Sequence, residues 1–344
     1  MPSKQCVYVI IVNWNGWQDT LECLESLLRI DHPRLRIVIC DNGSKDGSVE
    51  HIRDWAEGRL DATHSANQQL RHLTFPPVPK PVAYMEYDRS EAEHGGRSDD
   101  VGARVILVRA SGNLGFAGGS NVGLRYALSR DDLDYAWLLN NDTVVKPDAL
   151  DHMLRRMSNK PDAGICGATL LYYDDPVKVQ SLGGARYNKW LGSARHIGLF
   201  AHAENSVSEA DVERCMDYVV GASMLVSKAF LQEIGLLDEE YFLYFEELDW
   251  AMRARGRFSL AYASGSIVYH KEGRSTGATN CRPDEKSAMA DLYQIRNRVV
   301  VTRKFFPWAL PTVYLGLLLT IANRIRRGQW DMVRTLIRNR CFIC

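Results

Sequence analysis

The sequence predicts an α/β fold in which a mixed, mostly parallel sheet is flanked by helices. Residues 6–12 form a continuous, β-branched apolar run, typical of a strand buried on both faces of a parallel sheet. A second such run, 35–40, follows a segment, 19–30, whose leucines recur at helical spacing. Polar residues follow both runs, so we expect ligand chemistry at the carboxyl ends of these strands.

The alternation of strands and helices continues along the chain with one interruption. Residues 57–103 show little periodicity and are interpreted as an insertion, because the strand pattern resumes at 104. The other predicted elements are helix 48–56, strand 104–109, a helix ending at Leu128, strand 135–139, helix 147–157, strands 163–173 and 218–227, short strands 258–263 and 266–269, and helix 285–304.

The zero net charge of the 344 residues hides an asymmetry along the chain. Residues 296–344 contain ten Arg or Lys and one acid, a charge of +9, so residues 1–295 carry −9. Residues 305–323 form an uncharged run interrupted by Pro307 and Pro311. A basic tail with such a run predicts an interfacial or hairpin-like contact with an anionic membrane. The alternative is a hydrophobic core or dimer helix.

The cysteines indicate a reducing compartment. Eight are present, and only Cys341 and Cys344 have the C-x-x-C spacing that metal or redox sites use. We therefore expect reduced thiols in a cytoplasmic protein. The apolar run at 7–12 is too short for the core of a signal peptide.

Three acids in the stretch 241–250 are the first candidates for catalysis. Glu246, Glu247 and Asp249 follow an aromatic run, where negative charge is unfavourable unless something there requires it. The following residues have helical composition, and a helix N-terminus keeps carboxylates ionised. An ordinary acidic helix start is the alternative interpretation. We expect Glu247 to be a general base, with Glu246 and Asp249 as rivals for the role.

Two further polar sites follow predicted strands. The stretch 111–121 has four glycines, which let backbone pass close to a ligand and open a helix whose N–H groups face it. It does not have the dinucleotide-binding spacing, and a tight turn is the alternative. Asp142 lies just beyond strand 135–139, well placed to hold a divalent cation against phosphates.

Together these motifs resemble the family-2 inverting glycosyltransferases with a GT-A fold, especially the bacterial rhamnosyltransferase-like branch. The resemblance covers residues 6–276 apart from 57–103, and the motifs occur in family order. The matching stretches are Val12-Asn-Trp-Asn15, Asp41-Asn-Gly-Ser44, Asn113-Leu-Gly-Phe-Ala-Gly-Gly-Ser-Asn121, Leu139-Asn-Asn-Asp-Thr143, Tyr244-Phe-Glu-Glu-Leu-Asp249, Tyr269-His270 and the tail pattern Tyr293-x-x-Arg-Asn297.

The resemblance implies roles for individual residues. Glu247 occupies the place of the general base, where the family usually has Asp. Asp142, with His270, would bind Mn²⁺ or Mg²⁺, although Asn140 replaces the first acid of the D-x-D metal motif. Residues implied to bind the nucleotide donor are Asn13, Asn15, Asp41, Gly43, Asn113, Gly115, Gly118, Asn121 and Asn141. Residues implied on the acceptor side are Gly221, Ala222, Glu246 and Asp249.

The expected reaction is inverting transfer of a sugar, by family analogy rhamnose, from a dTDP- or UDP-linked donor to a glycan or polyprenyl-linked acceptor. A GT-A domain would span 1–280, with 57–103 inserted, and a helical tail would span 281–344. The location expected is the inner face of the plasma membrane, with no nucleic acid as partner and homo-oligomerisation left open. The alternatives are a nucleotidyltransferase or other nucleotide-sugar-handling enzyme and a catalytically silent scaffold.

Overall fold

The computed structural model describes residues 5–60, 65–97, 102–205, 207–272, 288–326, 328, 330 and 334. Its strands are, in chain order, β1 (Val7–Asn13), β2 (Leu35–Asp41), β3 (Tyr84–Asp88), β4 (Val105–Arg109), β5 (Tyr135–Leu139), β6 (Thr143–Val145), β7 (Ala163–Tyr172), β8 (Val179–Leu182), β9 (Gly184–Asn188), β10 (Ser193–His196), β11 (Tyr218–Val219), β12 (Ser223–Ser227) and β13 (Ser259–His270). Its α-helices are α1 (Trp17–Leu27), α2 (Ser48–Ala56), α3 (Arg89–Glu93), α4 (Gly115–Ser129), α5 (Ala149–Asn159), α6 (Glu209–Cys215), α7 (Lys228–Ile234), α8 (Glu246–Ala254), α9 (Ala288–Phe305) and α10 (Leu310–Arg326).

A mixed, mostly parallel sheet organises the molecule, as predicted. Its strand order is β3-β4-β2-β1-β5-β12-β7-β13-β6, with β8 paired to β7. Strands β3, β4, β2, β1 and β5 are mutually parallel, whereas β12 runs antiparallel between β5 and β7. A smaller sheet has the order β10-β9-β11.

The continuous apolar run of β1 is explained by a core on each face of the large sheet. Val7, Val9 and Ile11 belong to a cluster with residues of α1, α2 and α5, while Tyr8 and Ile10 belong to a cluster with residues of α4, α7 and α8. All five side chains are at most 1% exposed. Burial of an aliphatic side chain of this size stabilises the fold by about 1.5–3 kcal/mol.

Strand direction brings the polar loops to one edge of the sheet. The parallel strands β1, β2, β4 and β5 all end there, and β12 starts there because Ser223 pairs with Leu139. Strand β13 runs parallel to β7 and so also ends at this edge, where its antiparallel pair with β6 sets His270 opposite Thr143. His270 is therefore next to Asp142.

The helices α9 and α10 form an antiparallel-type hairpin joined by a short 3₁₀ helix, Pro307–Ala309. Helix α10 packs on α9 through Val313 and Leu317 and exposes other leucines to solvent. Pro311 lies in the first turn of α10, where its missing N–H breaks no helical hydrogen bond. Among the described residues, the segment Pro307–Arg326 is long and apolar enough to cross a membrane, a property that core helices of soluble proteins share.

Two predicted segments differ from the structure. The segment 57–103, in which no strand or helix was predicted, contributes the edge strand β3 and the helix α3. The predicted strand 218–227 is two strands, because the chain leaves the small sheet after Val219 and enters the large sheet at Ser223.

The predicted strands 258–263 and 266–269 are one strand, β13, which pairs with β7 and changes register after Ala263. Residues of the segments that form β6, β8, β9, β10, α6 and α7 were not predicted to form regular elements. They were missed because these elements are short and because the strands of the small sheet show little alternation of apolar and polar residues. Parts of the predicted 285–304 helix and of the C-terminal tail lie outside the described residues.

Candidate active site

A cleft of about 600 Å³ opens at the carboxyl edge of the large sheet. It brings together the acidic segment, the glycine-rich loop and the loop after β5. Its lining includes, from the predicted set, Asn113, Gly115, Asn141, Asp142, Gly221, Ala222, Glu246, Glu247 and His270. Its lining also includes residues that the sequence did not single out for this role, among them Trp14, Asn42, Gln180, Arg195, Tyr218, Phe242, Tyr244 and Arg298.

The acidic segment reaches the cleft through an unusual backbone path. Phe242, Tyr244 and Phe245 have left-handed φ angles of 62°, 69° and 73°. Such a conformation is unfavourable by about 1–3 kcal/mol for a residue with a side chain, so surrounding contacts must maintain it. The amide of the fully buried Asn297 on α9 does so: its Nδ2 donates to the carbonyls of Tyr241, Leu243 and Tyr244 at 2.7, 2.8 and 3.0 Å. The predicted tail motif therefore supports the site.

Glu247 lies at the start of α8 with its carboxylate in the cleft. Its Oε1 accepts a hydrogen bond of 3.1 Å from the N–H of Gly221. A Cβ atom on Gly221 would lie 2.3 Å from that oxygen, so a side chain there would displace the Glu247 carboxylate from this position. Burial raises the pKa of Glu247, and the Gly221 hydrogen bond offsets part of the rise. A carboxylate with a raised pKa is a stronger base.

Glu246 is the more deeply buried neighbour. It is 2% exposed, and its Oε2 has no hydrogen-bond partner among the described residues. Burial and then the charge of Glu247 raise the pKa of Glu246 well above its usual range. Two adjacent carboxyls in such surroundings do not both ionise readily, so the pair holds one proton over a wide pH range. Glu246 is the better candidate for the protonated member.

Asp249 does not reach the cleft, which corrects its expected acceptor-side position. It is completely buried, and its carboxylate forms ion pairs with Arg253 and Lys304 at 2.7 and 2.6 Å. The hydroxyl of Tyr241 also donates to it, at 3.3 Å. Since α8 turns by about 100° per residue, Asp249 faces α9 while Glu247 faces Gly221. Asp249 therefore stabilises the packing of α8 rather than contacting an acceptor.

Asp142 and His270 meet at the base of the cleft. His270 Nε2 lies 3.2 Å from Asp142 Oδ1, and both side chains are buried. Burial acts to raise the pKa of Asp142, but the facing His270 outweighs it and leaves that pKa lowered. Burial acts to lower the pKa of His270, and Asp142 reverses this, so that pKa is raised.

The surroundings of this pair suit a cation shared with a substrate. Gln180 Oε1 lies 2.9 Å from His270 Nδ1 and can accept its proton, which leaves Nε2 directed at Asp142. The Asn140 amide lies 3.3 Å from the same Nε2. No group of three or more His, Cys, Asp or Glu side chains able to hold a metal occurs in the described part of the chain. One carboxylate and one imidazole fit Mn²⁺ or Mg²⁺ whose remaining ligands are phosphate oxygens and water.

The loops after β1, β2 and β4 are held together by buried amides. Asn13 is fully buried and donates to Asp41 Oδ1 at 2.8 Å, while Ser44 N–H donates to the other Asp41 oxygen at 3.1 Å. Asn42 donates to the carbonyl of Gly115 at 2.8 Å. These bonds fix the loop after β2 against the glycine-rich loop, whose Asn113 and Gly115 face the cleft.

Several residues expected to bind the donor support this arrangement instead of lining the cleft. Asn121 is buried and bonds to the carbonyl and N–H of Leu237, and Gly118 packs inside α4 against Leu114. Asn121 and Gly118, like the buried Asn13, were expected to contact the donor, but they do not line the cleft. Asn15, Asp41 and Gly43 belong to the adjoining loops and are not among the lining residues. Asn15 is exposed and accepts from Lys45 N–H at 2.7 Å.

The fold is that of GT-A glycosyltransferases. Solved structures similar to it include the mannosyltransferase PcManGT from Pyrobaculum calidifontis in complex with GDP-Man and Mn²⁺, at 14% identity, a TM-score of 0.50, and coverage of 98% of this chain and 80% of that one. Another is GalNAc-T7 with UDP, GalNAc and Mn²⁺, at 15% identity, a TM-score of 0.52, and coverage of 87% and 48%. The predicted fold class is confirmed.

The family follows from sequence. The model of glycosyl transferase family 2 matches residues 8–73 and 98–201, on either side of a stretch within the predicted insertion. This chain belongs to glycosyl transferase family 2, so the predicted family and enzyme class are confirmed.

Two named relatives are similar to this chain in sequence. The low-salt glycan biosynthesis hexosyltransferase Agl10 of Haloferax volcanii is 23% identical over 242 residues, 69% of this chain and 71% of that protein. The N-acetylglucosaminyl-diphospho-decaprenol L-rhamnosyltransferase of Mycobacterium tuberculosis is 27% identical over 153 residues, 42% of this chain and 49% of that protein. The match to the mycobacterial protein spans about half its length.

Proposed function

We propose that this glycosyltransferase moves a sugar, with inversion at the anomeric carbon, from a nucleotide diphosphate to a hydroxyl of a glycan or lipid-linked acceptor. The observation that carries the proposal is the position of Glu247. Its carboxylate lies in the same cleft as Asp142 and His270, against Gly221, where a side chain would displace it. The cleft thus holds a base at one place and a candidate site for diphosphate at another.

The chain's own residues supply the proton transfer. Glu247 takes the proton of the acceptor hydroxyl as that oxygen bonds to the anomeric carbon, and the bond from this carbon to the phosphate oxygen breaks. The electron pair of the broken bond leaves with the nucleoside diphosphate. Burial of Glu247 strengthens it as a base. A second carboxylic acid is not required, because the diphosphate is already a good leaving group, unlike the alkoxide in glycoside hydrolysis.

Asp142 and His270 would hold the divalent cation, Mn²⁺ or Mg²⁺, with Gln180 orienting the imidazole. When bound, such a cation supplies positive charge that stabilises the departing diphosphate. The Mn²⁺ present in the PcManGT and GalNAc-T7 structures supports this assignment. Because two protein ligands leave most coordination positions open, cation affinity should depend on the bound donor.

Donor and acceptor are proposed from the residues and the relatives together. A UDP or dTDP donor would place its base near Asp41, and Asn15 and Gly43 lie in the same pair of loops. The rest of the donor would lie along Asn113, Gly115 and Asn141. Rhamnose as the sugar and a diphosphate-lipid acceptor are proposed with the support of the name of the mycobacterial relative. The division into 1–280 and 281–344 likewise stays a prediction.

Association with the inner face of the plasma membrane is the proposed location. Leu315, Leu318 and Leu319 on α10 are 59–62% exposed, which is an unusual concentration of large apolar side chains on one helix face. The +9 charge of residues 296–344 would add attraction to anionic lipids of about 1 kcal/mol per basic residue near the surface, less as salt rises.

Single-turnover transfer tests the mechanism. Glu247→Gln keeps the size of the side chain but removes the base, so the transfer rate should fall by about 10²–10⁴ while donor affinity stays near that of the wild type. Glu246→Gln and Asp249→Asn serve as matched comparisons. If Glu247→Gln has the wild-type transfer rate and Glu246→Gln is inactive, Glu246 is the general base instead. Inversion itself is read from the anomeric configuration of the product by NMR, and a retained configuration would refute it.

A further inference from the structure

A second cavity, of about 1180 Å³, lies beside the cleft along the small sheet. Residues 193–196 and Leu199 line both cavities, so the two are neighbours at β10. The other walls come from β9, the end of α8 and Phe306. We call this cavity the β9–β10 groove.

The groove concentrates positive charge in a domain that is otherwise acidic. Arg186 and Arg195 are direct partners in the antiparallel pair of β9 with β10. Like charges directly opposite each other destabilise a strand pair, so this arrangement is unfavourable without an anion. Lys189 from the turn between the strands and Arg255 from the end of α8 line the same groove. The groove holds one described acid, Asp217, whose Oδ2 accepts from the Tyr187 N–H at 2.8 Å.

These four cations have no ion-pair partner among the described residues. Elsewhere in the domain, arginines such as Arg53, Arg156 and Arg253 pair with carboxylates at 2.7 Å. The contacts recorded for Arg186 and Lys189 are instead a sulfur, that of Cys215, and the ring of Trp190. Guanidinium groups in this state are available for two-point binding of a phosphate.

The position of the groove identifies which substrate would occupy it. The loops proposed for the nucleoside follow β1, β2 and β4, whereas the small sheet adjoins β7 and β8 at the other side of the cleft. Between them lies Glu247, which would act on the acceptor hydroxyl. The turn of the small sheet also contacts α10, because Thr312 donates to the carbonyl of Trp190 at 2.6 Å. Trp190 and Leu191 are about half exposed beside that helix.

We propose that the β9–β10 groove binds a phosphate group of the acceptor, with Arg186 and Arg195 as its main ligands and Lys189 and Arg255 flanking them. The proposal rests on the function proposed above and adds to it the residues that would bind the phosphate of such an acceptor. Two sources of phosphate fit the same residues: a phosphate that links the acceptor sugar to an apolar carrier, and a phosphate that is a substituent of a glycan.

Binding to the full chain, measured by calorimetry with EDTA present so that no cation draws phosphate to the donor site, tests the assignment. The probes are geranyl phosphate, geraniol and glucose 6-phosphate. The wild type should bind geranyl phosphate at least about tenfold more tightly than geraniol, since charge-assisted hydrogen bonds to phosphate are lost with the alcohol. The double variant Arg186→Gln, Arg195→Gln should lose this preference, and Arg195→Gln alone should lose part of it.

The matched control is Arg71→Gln, because Arg71 is exposed and lines neither cavity. Its preference for geranyl phosphate should equal that of the wild type. Tighter binding of geranyl phosphate than of glucose 6-phosphate supports a phosphate that links the sugar to an apolar carrier. Equal binding of the two supports a site that recognises the phosphate group alone. Equal affinity of wild type and double variant for geranyl phosphate would overturn the assignment, as would no preference over geraniol.

The test separates this proposal from the proposed function. Hydrolysis of the nucleotide sugar is measured on the wild type and on Arg71→Gln, which should hydrolyse the donor at the same rate. Loss of the phosphate preference in the double variant, with none in Arg71→Gln, supports the groove assignment whatever the rate of hydrolysis. If the wild type hydrolyses and transfers no nucleotide sugar, the proposed function fails, while the phosphate preference is still measured independently of turnover.

Discussion

Replacing Asn297 by Asp is the sharpest test of how the acidic segment is positioned. The substitution preserves shape, but a carboxylate cannot donate the hydrogen bonds that Nδ2 now gives to three carbonyls at 2.7–3.0 Å. Two N–H groups supply those three contacts. The change therefore removes about two buried hydrogen bonds and sets a carboxylate against carbonyl oxygens, about 2–6 kcal/mol at 1–3 kcal/mol for each unsatisfied group.

That energy is comparable to the strain of the left-handed residues Phe242, Tyr244 and Phe245, so the segment should relax. Glu247 follows directly, and a displacement of about 1 Å at a reacting group can lower a rate by about 10². We expect Asn297→Asp to reduce kcat by about that factor, with a lower Tm and with donor affinity within about twofold of wild type. Asn323→Asp makes the same chemical change at an exposed position of α10 and should alter none of these quantities.

Steady-state kinetics, donor titration and thermal unfolding of the two variants provide the measurement. Wild-type kcat in Asn297→Asp would refute the reasoning, because it would show that the path of the segment does not depend on this amide. Equal loss of donor affinity and kcat would also refute it, since the damage would then have spread beyond the acidic segment.

Further predictions concern the cation, the proton and the membrane. Asp142→Ala should abolish Mn²⁺-dependent donor binding in calorimetry, and undiminished binding would exclude the cation site. Gln180→Leu leaves the His270 imidazole without the group that orients it, and should weaken the same binding by about 10–100-fold. Because burial raises the pKa of Glu247, kcat/KM should fall as the pH drops through a value above the usual glutamate range. Glu246→Gln, which replaces a carboxyl assigned as protonated by a neutral amide, should leave that acid limb in place, and a limb moved to lower pH would show that Glu246 is ionised beside Glu247. Leu318→Glu should reduce flotation with anionic vesicles, whereas equal flotation would exclude this face of α10 as the contact.

The parts of the fold predicted from sequence are those with a strong local pattern. The strands β1, β2, β4 and β5 are continuous apolar runs because both of their faces are buried, and their turns contain Gly and Asn. Strands β9 and β10 of the small sheet were missed because they have five and four residues and are mostly exposed on one side. β3 was missed because its residues follow a proline-rich stretch.

The site divides in the same way. Asp142 and Glu247 were predicted because an acid beside an apolar run is conspicuous in sequence. Gln180 carries no such signal: it lies in a short strand, and its role depends on contact with a residue 90 positions away. Asn121 was assigned to the donor because it ends a glycine-rich motif, but polar residues in such motifs can also hold loops together, as its bonds to Leu237 show.

The packing of α9 bears on how the protein can be shortened for expression. Asn297 and Val301 belong to the support of the acidic segment, so a fragment ending near residue 286 would lose the catalytic geometry together with the apolar helix. A cut after Phe306 would keep α9 and remove the 3₁₀ helix, α10 and the residues that follow. It would uncover Ile295 and Val299, and polar replacements at these two positions would be needed to keep the fragment in solution.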